Sequence, residues 1–490
     1  MDEFIDTVQS QTIPLGILDT LVSVPNLPYV FFYENASEDG GFMPSDTLRN
    51  SFYKALQQFP ILAGYLRSAE SGLFEVVVDR NDLNMPEYSE STSDIHYKQL
   101  ESARYSWDMW PKDLSTVGVA PTPAPNGRVK HANVHIVRLK DNSGLILFLN
   151  MPHILMDGVG YFAFFNLWAR LCKQMRSGSI AEAQVEHAAP VFDRSIVEEH
   201  LPSVRKPLDA VTASIYTTYS AIAEWVAWLS LSSRWYLVNK SLGMADAKTH
   251  VFHVSEESLE LLHQSVSGFV PQGVRLSNND LITALVSKTI AQAQCEGKAR
   301  SNSGALGSMF GSICDYVFGK ETHQATNIVC DIRHRLGIPA DTFVGNSIIA
   351  PVLRNTLDEL LVPTTAASLA SIAIKVRQSV DYVDQSYIAE FIDMVKMKPS
   401  RFAQVLAYMA RNPSTLAVSN QTRFRMYAAD FGDGSQRWAT LIPSPCANIV
   451  AILPSPPPSK GVQIYMATET AAMKLVLQNE SWTNVASVAY

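Results

Sequence analysis

The stretch LILFLNMPHILMDGVGYFAFFNLWARLCKQM, residues 145–175, decides the reading of this chain. Leu145 to Leu149 are apolar without alternation, which predicts a central strand buried on both faces. A tight loop carrying His153, Asp157 and Gly158 follows. GYFAFFNLWARLCKQM is then apolar nearly all round, which predicts a buried helix. Strand, short loop and buried helix form a setting that can hold a loop side chain firmly. Imidazole suits proton transfer because its ordinary pKa lies near neutrality. A histidine four residues before an aspartate is more often a structural pair, so this motif alone names no function.

Composition narrows the choices. The chain has 490 residues, a net charge of −8 and 47% apolar residues, which suits a soluble protein of two or three domains. The acidic balance argues against nucleic acid as a partner, because phosphate binding calls for a basic face. The five cysteines (Cys172, Cys295, Cys314, Cys330, Cys446) are scattered with no CxxC pair, so neither a zinc site nor a disulfide framework is expected. MDEFIDTVQS lacks a secretory pattern and the terminal SVAY is no retention address, so the expected location is the cytoplasm.

Residues 210–233, AVTASIYTTYSAIAEWVAWLSLSS, carry one charge and are long enough for a membrane-crossing helix. Eight of them are Ser or Thr, and Ile215, Tyr219, Ile222, Val226 and Leu229 recur at helical spacing. The expected form is one long helix laid on a core, with membrane association as the less favoured alternative.

Upstream, LPYVFFYE (27–34) and LFEVVVD (73–79) read as strands, and SDTLRNSFYKAL as a helix with Ser45 or Asp46 near its N-cap and Pro60 beyond its end. HANVHIVRL, a DNSG turn and LILFLN read as a hairpin. The polar, proline-bearing stretch 176–207 reads as a linker. Beyond it lie HVFHVS, NNDLITALVSKTIAQAQ, ATNIVCDIRHRLGI, a helix near 366–384, ANIVAIL and GVQIYMATE. The division expected is an N-terminal domain over 1–190, a linker and long apolar helix over 191–245, and a C-terminal domain over 246–490.

HExxH, GxSxG, GxGxxG and P-loop patterns are all missing, which argues against metallo-hydrolase, serine-hydrolase and nucleotide chemistry. His131 and His135 have no third ligand nearby, so no metal site is expected. Further stretches carry information. TNIVCDIRHRL (326–336) puts Asp331, Arg333 and Arg335 at alternate positions of an expected strand, where two arginines need partners. FVGNSIIAP (343–351) joins Gly and Asn to an apolar strand. VSNQTRFRMYAADFGDG (418–434) ends in a glycine turn.

Together these blocks resemble the BAHD family of CoA-dependent acyltransferases, with the nearer likeness to its fungal O-acyltransferases. The family's HxxxDG stands here as His153–Gly158, and its DFGWG as Asp430-Phe431-Gly432-Asp433-Gly434. LDTLVSVPNLPYVFFYE, SFYKALQQFPILAGYLR, LSNNDLITAL and DIRHRL follow in the expected order. Two departures matter. Asp433 replaces the motif's tryptophan, and Pro152 stands where peptide-synthetase condensation domains carry a second histidine.

The resemblance implies an α/β fold of two chloramphenicol-acetyltransferase-like domains, each a mixed β-sheet flanked by helices, with a channel between them. It implies an acyl-CoA co-substrate, with acetyl-CoA expected, no permanently bound cofactor, and a small-molecule acceptor, expected to be a mid-sized apolar natural product, presenting a hydroxyl. His153 is then the general base of a ternary complex. Asp157 turns from the channel toward Arg333, with Arg335 as the fallback. Gly158, Asp430, Gly432 and Gly434 support the site, and Asn279, Thr283, Ser419 and Asn420 are channel residues that could hold the oxyanion. A monomer is expected. Alternatives on the same fold are an amine acceptor, a carrier-bound donor, a membrane-associated acyltransferase for lipid alcohols, and a non-catalytic binding relative.

Overall fold

The computed structural model describes residues 2–37, 40–112, 114, 120–177, 189–217, 225, 229–242, 246–301, 322–397 and 414–490. Twelve strands in two mixed sheets carry the architecture. They are β1 (Asn26–Glu34), β2 (Glu87–Thr92), β3 (Asn133–Arg138), β4 (Gly144–Pro152), β5 (Ala247–Val254), β6 (His323–Ile328), β7 (Val352–Thr356), β8 (Leu416–Asn420), β9 (Trp438–Leu441), β10 (Ile449–Pro454), β11 (Val462–Glu469) and β12 (Ser487–Val488). The first sheet runs β9-β1-β4-β3-β2 and the second β7-β6-β8-β10-β11-β5-β12. Helices flank both, so the fold is the expected pair of mixed sheets.

β4 is central, between β1 and β3, and all nine of its residues are buried. That is why its sequence shows no alternation: both faces meet packed side chains. β3 and β4 pair antiparallel around a turn in which Asp141 and Asn142 take positive φ, 55° and 53°. These residue types tolerate that region. β9 comes from the C-terminal part of the chain yet pairs with β1 of the first sheet, Trp438 opposite Phe32 and Leu441 opposite Tyr29. The second half therefore lends a strand to the first.

Helix α1 (Ser45–Leu56) and helix α2 (Gly158–Ser177) cover one face of the first sheet. Leu48, Phe52, Ala55 and Leu56 form the buried face of α1, and its N-cap is Pro44. The α2 helix buries Phe162, Phe165 and Trp168, and Phe165 stacks on Phe31 at 4.1 Å between ring centroids. Phe431 closes this aromatic cluster edge-on against Tyr33, Phe165 and Trp168.

Two expectations about secondary structure are corrected. The strand expected through Arg333 and Arg335 ends at Asp331. There the Asp331 carboxylate accepts the Arg333 backbone N–H at 2.9 Å, a local bond that turns the chain into the short helix α3 (Arg333–Leu336). The two arginines therefore do not share a strand face. The single helix expected over 210–233 is also not formed. A helix covers Ala210–Thr217, Leu229 and Ser230 are not helical, and a new helix starts at Leu231. Ser230 caps it, its hydroxyl accepting from the Ser233 N–H at 3.2 Å. Tyr219, Ile222 and Val226 of the expected stripe lie outside the described residues. Among the described residues no helix is long and apolar enough to cross a membrane.

Because Phe431 is fully buried among three aromatic rings, Phe431→Ala should lower stability by about 3–5 kcal/mol in urea unfolding. A loss under about 1 kcal/mol would show that the glycine turn does not depend on this anchor.

Candidate active site

His153 follows the last residue of β4, and Asp157 precedes the first residue of α2. Two acidic–basic pairs and one amide hold the loop between them. The Asp157 carboxylate lies 3% exposed and meets Arg333 with both oxygens, Nη1–Oδ2 at 2.8 Å and Nη2–Oδ1 at 2.9 Å. It also caps α2, accepting from the Val159 N–H at 3.0 Å, and takes the Ser347 N–H at 3.0 Å. Charge at a helix N-terminus is favourable when negative. Arg333 is fully buried and donates further to the carbonyls of Phe343 and Gly345. Burial acts to lower its pKa, but the Asp157 and Asp331 carboxylates outweigh it and hold the guanidinium above its ordinary value. Arg335 instead donates to the Val380 carbonyl.

The second pair is Asp19–Arg194, at 3.1 Å with both side chains buried. Arg194 donates to the Leu155 carbonyl at 2.7 Å. Asp19 accepts from the backbone and side-chain nitrogens of Asn346, and the same Asn346 amide donates to the His153 carbonyl at 2.9 Å. Carbonyls 153 and 155 and the carboxylate of 157 are thus each fastened to residues far away in sequence.

None of these bonds is made by the imidazole ring. Nδ1 of His153 is buried with no hydrogen-bond partner among the described residues. Burial lowers the ring's pKa below the ordinary value, with its own carbonyl, Asp157, Asn346 and Asp19 opposing only in part. The neutral form therefore prevails at pH 7. Tyr29 on β1, opposite Leu149 of β4, donates its hydroxyl to Gln421 Oε1 at 2.9 Å, and Gln421 reaches Ser419 at 3.5 Å.

Gly158 opens α2 where the Phe424 ring leaves no room for a Cβ. The turn at 430–434 fastens the other end of α2. Asp430 pairs with Lys173 at 2.7 Å and accepts from the N–H groups of Gly432 and Gly434. Those glycines have φ of 109° and 96°, which side chains avoid. Asp433, in the tryptophan's place, pairs with Arg176 and accepts from the Met43 N–H.

The four candidate oxyanion donors lie on two elements. Asn279 and Thr283 belong to the helix Asn278–Ser301, and Ser419 and Asn420 to β8. The Asn420 amide donates to Asn279 at 3.2 Å, which ties these elements together. The Thr283 hydroxyl is buried without a partner among the described residues. Among the described residues, no hydrogen bond joins any of the four to His153. Sequence reasoning did not single out Asp19, Arg194 or Tyr29. Arg194 lay in a polar stretch read as linker, and nothing local signals a partner 175 positions away.

The Asp157→Asn substitution should lower stability by about 3–5 kcal/mol, because it leaves the Arg333 charge buried and uncompensated. Chemical denaturation tests this, and the double variant Asp157→Leu/Arg333→Met should recover much of the loss. An unchanged midpoint in Asp157→Asn would contradict the structural role.

The match to a family model called the Transferase family runs over residues 6–482. Hydroxycinnamoyltransferase 1 of Oryza sativa subsp. japonica is 23% identical over 445 residues, covering 85% of this chain and 83% of that protein. Among solved structures, F. sporotrichioides TRI101 complexed with coenzyme A and T-2 matches with a TM-score of 0.68 at 16% identity, covering 98% of this chain and 100% of that one. Vinorine synthase matches with a TM-score of 0.62 at 16% identity, covering 98% and 94%. This chain belongs to the transferase family of BAHD acyltransferases and is an acyl-CoA-dependent acyltransferase.

Proposed function

We propose that the protein transfers an acetyl group from acetyl-CoA to a hydroxyl of a mid-sized natural product, with His153 as general base. The observation that carries this reading is a half-buried imidazole whose loop is fixed at three points while its buried Nδ1 has no partner among the described residues. TRI101 in complex with coenzyme A and T-2, and with coenzyme A and deoxynivalenol, supplies the precedent for a CoA and acceptor pair on this fold.

A thioester is already activated, so the residues have three tasks: proximity, proton removal and oxyanion stabilisation. Neutral His153 takes the acceptor hydroxyl's proton as its oxygen adds to the thioester carbonyl carbon. The tetrahedral oxyanion then collapses, the carbon–sulfur bond breaks, and the CoA thiolate takes the proton back from the imidazolium. The ester and free CoA leave, and no acyl-enzyme forms. Thr283 is the favoured oxyanion donor of the four, because its hydroxyl is buried and has no partner among the described residues; Asn279 and Asn420 already bond to one another. Asp157 positions the loop and does not relay charge, since Arg333 occupies both its oxygens. Asp430, Gly432 and Gly434 act at a distance, by holding α2.

His153→Ala should reduce kcat by about 10²–10⁴ while the variant remains folded, measured as thiol release from acetyl-CoA. Near-native turnover would remove His153 from the mechanism. Because burial depresses the His153 pKa, the proton-accepting form persists on acidification. The acid limb of the kcat/KM profile should therefore fall with a midpoint below about 6.5. A midpoint well above that value would point to a different base.

A further inference from the structure

A cavity of about 820 Å³ opens on the first sheet, lined by Asn133, His135, Phe148 and Asn150 among others. Strand alternation puts Phe148 and Asn150 on the face of β4 opposite Leu147, Leu149 and Met151, which pack with α2. On that second face the strand register lines up polar side chains where a sheet interior is ordinarily apolar. Glu87 stands opposite Asn133, and Asn133 opposite Asn150, making one row across β2, β3 and β4. Ser89, His135 and Phe148 make the next row.

The two asparagines are not accounted for by the fold. Asn150 is 3% exposed, yet its Oδ1 has no hydrogen-bond partner among the described residues, and the same holds for Oδ1 of Asn133. A buried polar atom without a partner costs about 1–3 kcal/mol. His135 differs: Ser89 lies 2.8 Å from its Nδ1 and Ser91 3.1 Å from its Nε2, so the ring is held as a wall. The loop 121–124 faces these residues across the cavity.

The cavity also begins beside the catalytic loop. Asn26, which lines it, pairs in register with Pro152, and the His153 N–H donates to the Pro25 carbonyl. His153 lies three positions after Asn150, roughly 10 Å at the usual strand rise. We propose that the Asn133–Asn150 row recognises a hydroxyl-rich group of the acceptor, remote from the hydroxyl that is acylated. The acceptor is then amphiphilic, a polyol or glycosyl group at one end and the reacting hydroxyl about 10 Å away, rather than apolar throughout. This rests on the acyl-transfer reading, but its binding step can be tested apart from turnover.

The test uses ω-hydroxyoctyl β-D-glucoside, with a terminal octane diol as its sugar-free control. Calorimetric titration of the full-length protein should show the glucoside binding more tightly than the diol. Asn133→Leu and Asn150→Leu, checked for an unchanged melting transition, should each weaken glucoside binding by about ten-fold or more. Asn133→Gln should restore part of it. Equal affinity for glucoside and diol, or an Asn133→Leu protein that binds the glucoside as wild type does, would overturn the proposal. Thiol release from acetyl-CoA is followed in parallel. Glucoside binding that depends on the asparagines, without release, would support the recognition site and count against acyl transfer alone.

Discussion

The rest of the site depends on one buried ion pair, Asp157–Arg333. Its two members stand 176 positions apart and on opposite sides of the main sequence division. Neither charge could stay in this interior alone, since desolvation of an isolated ion far exceeds what packing returns. The bidentate geometry therefore fixes more than a contact. It sets where the second half of the chain meets the loop after β4. The same carboxylate caps α2, so one residue aligns a helix, a loop and a distant segment at once.

Around this pair the structure separates support from chemistry. Asn346 and Arg194 hold carbonyls 153 and 155, and Arg333 holds the carboxylate of 157. None of these bonds is made by the imidazole ring, so the loop backbone is fixed independently of it. At the other end of α2, Asp430 and Asp433 pair with Lys173 and Arg176, one turn apart on that helix. An indole at 433 could not make the second pair. The family's tryptophan is thus exchanged here for an electrostatic fastening of the same turn.

Individual strands and helices were legible in the sequence because long buried elements leave strong patterns, whereas their arrangement in two mixed sheets was implied by the family resemblance. Leu145–Leu149 reads as a central strand, and the α2 segment as a buried helix, from apolar residues alone. The family resemblance, not the motif spacing alone, singled out the His153 loop and named Arg333 as the partner of Asp157, with Arg335 as the fallback, and the structure pairs Asp157 with Arg333. Sequence could not choose between the two arginines on physical grounds, because the choice turns on the Asp331 side chain ending the strand. Asp19 and Arg194 were illegible for a related reason: a polar residue in a loop looks solvated until a partner elsewhere buries it. The polar row on β2, β3 and β4 was hidden in the same way, since Asn133 and Asn150 come together only through strand register. The 210–233 segment misled because composition does not reveal that Ser230 caps a new helix.

Proton transfer by His153 requires that its imidazole, and not the Asp157 carboxylate, faces the acyl group. A crystal structure with a non-hydrolysable ketone analogue of acetyl-CoA would decide it. With His153 as the base, the analogue's carbonyl carbon should lie near the His153 ring, with space for one hydroxyl oxygen at about 3–3.5 Å from that carbon, and the Asp157–Arg333 pair intact behind the loop. An analogue bound with its carbonyl against Asp157, or with His153 turned away from it, would contradict the account.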